Sequence, residues 1–508
     1  MTFLWTVLGA LGVVATYDLL QRRHAILRNF PIIGHFRYLL EAIGPELRQY
    51  IVTDNDAERP FNRDQRRWVY ASAKNETTYF GFGTDNDLEN AQDYLIIKHN
   101  VFPLAGAKPG DADYDPTHAL PCAKVMGAWR QRAKAFRPAS VVNVSAMSFG
   151  SLSAAAVEAI NRGCQLAGCL HNTGEGGLAH HHLHGADVIW QIGTGYFGCR
   201  NLDGTFSLDR LVDTCARHPQ IKMLEIKLSQ GAKAGLGGMI LGAKVTPEIA
   251  KIRGIEPWKN CFSPPGHSAF HDVDSLLDWV ELLADRTGLP VGIKSAVGEM
   301  AFWEQLADAM EGGGRAVDFI SIDGGEGGSG TAPRAYADHV SLPFRHGFSR
   351  VYRLFAQRGL HHKIVFIGAG KLGFPESALF AFGIGADMIA VAREAMLAIG
   401  CIQAQRCHTG HCPAGVATQN RWLMRGLDPT LKAARCANYI VKLRHEILQL
   451  SNTCGAPHPA LVTPEHFEIL DGPYDSQSIR SVFDYREGDA LPSAADVAAI
   501  RELMGSRL

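Results

Sequence analysis

Past residue 135 the chain repeats one pattern eight times: a short β-branched apolar run, then a longer segment of helical period. Parallel βα units require this alternation, because neighbouring parallel strands are joined by a long crossover, usually a helix. The runs fall at 141–146, 169–173, 187–192, 223–228, 290–295, 319–323, 363–368 and 388–393, with helical segments such as 154–166, 273–284, 301–311 and 374–382 between them. Eight strands with intervening helices predict an α/β fold of the (β/α)8 TIM-barrel type, with a doubly wound open sheet as the competing reading. A barrel also makes sense of the polar residues. Ser148, Asn172, Glu175, Gln191, Lys227, Lys294, Asp323 and Arg393 all fall at or just beyond strand C-termini, the face that holds the active site in barrels.

Glycine suggests what sits in that mouth. It supplies 53 of 508 residues, above the usual ~7%, and the excess gathers after apolar runs. The seventh run ends Ile367-Gly368-Ala369-Gly370-Lys371, and the eighth follows Gly383-Ile384-Gly385-Ala386-Asp387 and ends Ala392-Arg393. Backbone N–H groups bared by glycine after strands seven and eight are the usual phosphate cradle of such barrels. Each cluster alone also fits a tight turn needing positive φ. Paired on these two strands, they favour a phosphate-bearing cofactor such as FMN. No GxGxxG fingerprint marks the first strand, which argues against a resident NAD domain.

Eleven cysteines are scattered except for Cys401, Cys407 and Cys412, three thiols in one short segment that ends Cys412-Pro413. This is not the even framework of a small secreted domain, and it points to a reducing compartment. Thiolates suit iron–sulfur clusters or zinc, and a proline after the last ligand is familiar from ferredoxin-type loops. His408 or His411 could complete a zinc site. Three ligands without a nearby fourth cysteine favour a three-iron cluster. Arg393 precedes Cys401 by only eight residues, so cluster and phosphate cradle adjoin in sequence, as electron transfer between them would need.

The 50 basic and 51 acidic residues balance to a net charge of −1, and no basic stripe exists that could neutralise phosphates, so nucleic acid is excluded as a partner. From Met1 to Tyr17 the chain is uncharged and mostly apolar, closing with Asp18 and Gln21-Arg22-Arg23. As a helix, residues 3–20 would span ~27 Å, near the lower limit for crossing a bilayer. No basic residue precedes this run and no small-residue cleavage site follows it, so an uncleaved anchor is favoured over a signal peptide. A buried helix is the remaining alternative. Arg22, Arg23 and Arg28 put the rest of the chain in the cytoplasm by the positive-inside rule. The expected organisation is an anchor at 1–23, an irregular region at 24–134 packed on the barrel, a barrel domain at 135–425 with an iron–sulfur loop at 400–413, and a helical extension at 426–508. That makes a single-pass protein of the cell inner membrane.

Several long motifs then stand in a recognisable order: SAMSFGSLS (145–153), HNTGEGG (171–177), WQIGTGYFG (190–198), KLSQGAKAGLGG (227–238), FSPPGH (262–267), IDGGEGGSGTAP (322–333) and GCIQAQRCHTGHCPAGVATQ (400–419). Over residues 135–470 the chain resembles the FMN-binding synthase domain of the glutamate synthase family, especially its archaeal-type and stand-alone forms. The resemblance implies a βα barrel carrying FMN beside a 3Fe-4S cluster, with Cys401, Cys407 and Cys412 on the family's C-x5-C-x4-C pattern as its ligands. The implied reaction is reductive amination of 2-oxoglutarate, in which ammonia condenses with the keto carbon and reduced flavin delivers hydride to 2-iminoglutarate. By motif, Gln230, Lys233 and Arg253 fall on oxoacid-binding positions and Lys227 on a nearby lysine. Such cations suit a dicarboxylate, since a guanidinium grips carboxylate in bidentate fashion and a lysine polarises developing charge. Glu175 matches a glutamate at the point where ammonia enters, able to orient ammonium or take its proton; capping a helix is its structural alternative. For FMN the resemblance implies backbone contacts from Ala146, Met147 and Ser148, side chains from Gln191 and Lys294, phosphate contacts from Gly368, Gly370 and the surroundings of Arg393, and Gly328 and Ser329 nearby.

The chain also departs from the longer synthases. It shows neither an N-terminal catalytic cysteine nor a glycine-rich β-helical domain, so ammonia is expected free or from a separate glutaminase subunit. No pyridine-nucleotide domain is visible, so electrons are expected from a partner such as ferredoxin or a reductase subunit. Ala234 replaces the family's frequent proline after Gly-Ala-Lys. The alternatives to glutamate synthesis are an FMN and iron–sulfur electron-transfer or binding subunit of a membrane complex, or amination of another oxoacid or with another amine. A 2-hydroxy acid oxidase would have no need of the cysteine trio. The run His180-His181-His182 with His184 reads as a polar rim loop, because adjacent histidines cannot all point one way and no carboxylate spacing accompanies them.

Overall fold

The computed structural model describes residues 1–112 and 114–504, which divide into a first unit at 1–67 and a second from Trp68 onward. In the first unit, Thr2–Leu20 is a single helix. Among the described residues it is the one helix long and apolar enough to cross a membrane, by length and composition. Its one buried residue, Asp18, accepts hydrogen bonds from the Ile32 N–H at 2.9 Å and from His35 Nε2 at 3.0 Å, which ties the helix to the turn before helix Gly34–Leu47.

The second unit is built on a closed, all-parallel barrel whose eight strands follow in chain order. They are β1 (Val142–Val144), β2 (His171–Asn172), β3 (Val188–Ile192), β4 (Ile221–Lys227), β5 (Val291–Ser295), β6 (Phe319–Asp323), β7 (Val365–Ala369) and β8 (Met388–Val391). Closure is made by β8 on β1, with Ile389 opposite Val142 and Val391 opposite Val144. All eight expected runs form barrel strands. The longer helices that follow these strands include α1 (Ala154–Ala167), α2 (Leu208–Arg217), α3 (Val273–Thr287), α4 (Ala301–Glu311), α5 (Phe344–Gln357), α6 (Pro375–Gly383) and α7 (Arg393–Ala398). Local chemistry sets their ends. Ser153 Oγ accepts from the Ala156 N–H at 3.2 Å to start α1, and Gly168 stops it in the left-handed region at φ 65°. Only the β2–β3 link has no helix, carrying instead the short 3-10 turn His180–His182.

The N-terminal end of the barrel is sealed by the chain that precedes it. Cys122 and Met126 pack with Leu170, Ile189, Met223, Phe319, Val365, Ile367 and Met388 in one buried cluster. Ion pairs fasten this floor, Lys124 to Asp387 at 2.9 Å and Arg132 to Asp318 at 3.0 Å. Beyond the barrel, the 25-residue helix α8 (Pro429–Thr453) lies along α1, where Gly163 leaves room for Cys436 and the Ala433 carbonyl. The region after α8 is not wholly helical: Phe467–Asp471 pairs antiparallel with both Gln92–Ile97 and Ser476–Ser478. With the floor plugged, the C-terminal ends of the strands are left for chemistry.

Candidate active site

Those ends open onto one cleft of about 1220 Å³, its solvent-filled mouth included. The walls come from nearly every strand end. Ala146, Met147 and Ser148 follow β1, Gly174 and Glu175 follow β2, Gln191 lies on β3, and Lys227 ends β4. Lys294 stands on β5, Asp323 ends β6 with residues 327–331 beyond it, residues 369–371 end β7, and Ala392 and Arg393 follow β8.

Charge in the cleft is arranged around Glu175. Lys227 Nζ donates to Glu175 Oε1 at 2.7 Å and to Gln230 Oε1 at 2.8 Å. Lys233 Nζ reaches across to Thr331 Oγ1 at 3.0 Å. Burial pushes the Glu175 carboxyl up, but the cations of Lys227, Arg253 and Lys233 outweigh it and hold it below the usual carboxylate range. Burial pushes the Lys233 ammonium down, against the pull of Glu175. Glycines let these groups converge: a Cβ on Gly193 would meet the Glu175 Cβ at 2.7 Å, and one on Gly238 would meet Glu175 Oε1 at 2.9 Å. Two positions leave no room at all, since a Cβ on Gly231 would lie 1.7 Å from the Gly324 carbonyl oxygen and one on Gly237 would lie 1.7 Å from that of Ser263. The Gly231 N–H donates to Asp323 Oδ2 at 2.9 Å, so the lysine-bearing loop is latched to the end of β6.

A second part of the cleft is walled by backbone and buried amides. Gln191 Nε2 and Asn172 Nδ2 both donate to the buried Glu225 Oε1, at 2.6 and 2.8 Å. Lys294 Nζ lies 3.4 Å from Ser145 Oγ and 3.8 Å from Asp323 Oδ2, at the bottom of the mouth. Gly370, at φ 125°, adopts a backbone that side chains disfavour. A Cβ on Gly328 would strike Arg393 Cδ at 2.6 Å, and the Arg393 guanidinium donates to the Glu326 carbonyl. Five cationic side chains line the whole cleft (Lys227, Lys233, Lys294, Lys371 and Arg393) against the carboxylates of Glu175, Asp323 and Glu394. Such a surplus suits anionic ligands. The bare backbone and positive charge fit the phosphate and flavin of FMN.

The cysteine loop borders this cleft through Cys407. All three of its thiols are free of disulfides. Burial and the neighbouring Cys412 sulfur push Cys407 up, and both sulfurs act on the Lys244 ammonium. Gln403 and Gln405 take positive φ, 56° and 54°, and the Gln403 N–H reaches Cys401 Sγ at 3.4 Å. Three thiols gathered in one loop, one of them facing a backbone N–H, are the donor type that both iron–sulfur clusters and zinc use.

Most of the expected site residues therefore meet in one cleft: Ala146, Met147, Ser148, Glu175, Gln191, Lys227, Gln230, Lys233, Lys294, Gly328, Ser329, Gly370, Arg393 and Cys407. Arg253, Gly368, Cys401 and Cys412 do not line it. Arg253, at the end of helix Pro247–Arg253, is buried behind the wall, donating to the Phe149 carbonyl at 3.2 Å and stacking over Phe197. It acts on Glu175 through its field. Gly368 lies within β7 against Phe344 and Leu372, where a side chain would clash. Glu175 sits in no helix cap; its partner is Lys227. Sequence reasoning missed Thr331 and Lys244. Lys244 Nζ donates to the carbonyls of Ser151 at 3.0 Å and Cys407 at 3.3 Å. The signal was present, since Gly242-Ala243-Lys244 repeats Gly231-Ala232-Lys233.

Comparison with known proteins places these residues in context. Residues 121–457 match the family model described as the conserved region in glutamate synthase. The glutamate synthase large subunit-like protein YerD of Bacillus subtilis strain 168 is 38% identical over 475 residues, covering 88% of this chain and 90% of that protein. An archaeal glutamate synthase (NADPH) of Methanocaldococcus jannaschii is 33% identical over 317 residues, covering 62% of this chain and 59% of its own length. Among solved structures, a mandelate oxidase mutant with a monooxide FMN adduct superposes with a TM-score of 0.43 at 11% identity, covering 87% of this chain and 99% of that one; so remote a likeness carries no argument.

Proposed function

Because the chain belongs to the glutamate synthase family, we propose that it catalyses the reductive amination of 2-oxoglutarate to L-glutamate. The observation that carries this reading is the Glu175–Lys227–Gln230 hydrogen-bonded chain facing Lys233 across the cleft. Two lysines beside one carboxylate provide for both reactants, a dicarboxylate and an ammonium ion. FMN bound along residues 146–148, Gln191, Lys294, 328–329, 370 and Arg393 would supply hydride, and a 3Fe-4S cluster on Cys401, Cys407 and Cys412 would pass electrons to it.

The chain's own residues do the remaining work. Lys227 and Lys233 hold the carboxylates of the oxoacid and stabilise negative charge that develops at its keto oxygen. Gln230, already aligned by Lys227, offers an amide to the same substrate. Glu175 is ionised in the free site, so it binds ammonium rather than donating a proton. When a substrate carboxylate draws Lys227 away, Glu175 loses its closest cation and its pKa rises. It can then accept the proton that ammonium must lose before its nitrogen attacks. Oxoacid binding thereby readies the base, and ammonia is not activated before its partner arrives. Arg253, from behind the wall, keeps the carboxylate ionised between turnovers.

Helix Thr2–Leu20 serves in this reading as a membrane anchor that holds the catalytic unit at the cytoplasmic face of the inner membrane, near its electron donor. That donor is a ferredoxin or a reductase subunit, and ammonia arrives free or from a separate glutaminase chain. The test is an anaerobic assay of detergent-solubilised protein with reduced viologen, 2-oxoglutarate and ammonium, with flavin and iron counted first. Wild type forms glutamate, and Lys233→Ala lowers kcat/KM by about 100-fold or more while keeping its flavin. Absence of glutamate from fully loaded wild-type protein overturns the reading.

A further inference from the structure

The helix-less β2–β3 link carries a histidine cluster for which the proposed reaction has no use. His181 is 9% exposed, and its two ring nitrogens meet different surroundings. Nε2 donates to Glu248 Oε1 at 3.0 Å, whereas Nδ1 is buried with no hydrogen-bond partner. His184 shows the same imbalance. Its backbone N–H donates to Asn161 Oδ1 on α1 at 2.8 Å, yet its Nε2 is buried and unpartnered. Glu158, also on α1, gives Oε1 to Arg162 at 2.6 Å and turns Oε2 toward His184 Nε2 at 3.9 Å. That gap is too long for a hydrogen bond.

Buried imidazole nitrogens are seldom left without a partner, and here both histidines stand beside one carboxylate. One ligand atom from each of Glu158, His181 and His184 lies within 4.8 Å of the others. Metal bonds of about 2.1 Å in tetrahedral geometry set neighbouring ligand atoms about 3.4 Å apart, so a small inward movement would close the three around an ion. No carboxylate stands beside these histidines in sequence; the fold brings Glu158 from α1 and Glu248 from helix Pro247–Arg253. On the 3-10 turn His181 is buried while His180 stays exposed, although their ring centroids are only 3.8 Å apart. A second trio, His180 with His181 and Glu248, also comes within ligand distance. It is more exposed, and its Glu248 Oε1 already accepts the His181 proton.

We propose that Glu158, His181 and His184 bind a divalent transition-metal ion of the Zn2+ type, leaving a fourth position for water. Two imidazoles and one carboxylate are a borderline donor set that suits zinc. Glu248 is the outer partner that holds the proton on Nε2 and so presents the Nδ1 lone pair of His181 to the ion. The ion stands in for the missing helix of this βα unit, clamping to α1 the link that carries Glu175.

The test is equilibrium dialysis of the intact protein, cofactors loaded, against micromolar free Zn2+, with zinc, iron and flavin counted per chain. Wild type takes up one zinc that His184→Ala and Glu158→Gln do not, at unchanged iron. Glu248→Gln, altering a half-exposed side chain outside the ligand set, weakens binding by about 10-fold or more. Zinc raises the melting temperature of wild type and not of His184→Ala. No zinc in wild type, or equal zinc in wild type and His184→Ala, as an ion lodged at the cysteine loop would give, overturns the proposal.

Discussion

A carboxylate 2.7 Å from one ammonium, and in the field of two further cations, stays ionised at neutral pH. Replacing Glu175 with Gln keeps the shape and one acceptor oxygen but removes both the ammonium-binding charge and the base. Glu175→Gln should therefore lower kcat/KM for ammonium by about 100-fold or more, with flavin content unchanged and a much smaller effect on the KM for 2-oxoglutarate; steady-state kinetics with each substrate varied checks this split. At this scale the sequence was legible where a charged residue stood at a strand end inside a long motif, as Glu175, Lys227 and Lys233 did. It was less legible where position depends on packing. Arg253 carries the expected charge, but its helix directs it behind the wall. Gly368 belongs to a cradle-like string, yet within it only residues 369 to 371 reach the cleft. Lys244 was passed over although its Gly-Ala-Lys repeats that of Lys233, because only the folded chain brings the loop at Cys407 onto it.

Among the elements, α1 and α8 are joined by a missing side chain. A Cβ on Gly163 would sit 2.6 Å from Cys436 Cβ and 2.9 Å from the Ala433 carbonyl oxygen, and neither backbone can withdraw without parting the helices. Gly163→Ala, which would gain helix propensity on an isolated helix, should instead destabilise the protein by about 1–3 kcal/mol, measured as a lowered urea midpoint at unchanged m. The barrel strands could be read from sequence because parallel, doubly covered strands are continuous apolar runs. Their exact ends could not, since ladder pairing stops where neighbours stop: the run at 169–173 pairs only as His171–Asn172. Nor could the replacement of a helix by a turn after β2 be foreseen, because only the packed fold shows what fills that position.

For the whole molecule, buried neutral histidines set the acid limit. Burial pushes His458 and His267 down to about 4, whereas an unfolded histidine titrates near 6.5. Their contribution is complete above about pH 6.5 and is lost as pH falls toward 4, because the unfolded chain takes up the protons. His458 alone should cost about 2 kcal/mol at pH 5. Urea unfolding at pH 7.5 and pH 5 should show this loss, with a shallower dependence in His458→Gln. At this scale the eight-run rhythm carried the fold, while the sheet linking Gln92–Ile97 to Phe467–Asp471 escaped notice because its partners lie hundreds of residues apart. What the assembled cleft does is tested most directly by mixing anaerobically reduced protein with 2-oxoglutarate, with 15N-ammonium, and with both, while following flavin absorbance. The account predicts fast flavin reoxidation only when both are present, with 15N recovered in glutamate. Reoxidation by the oxoacid alone, or none with the two together, would contradict it.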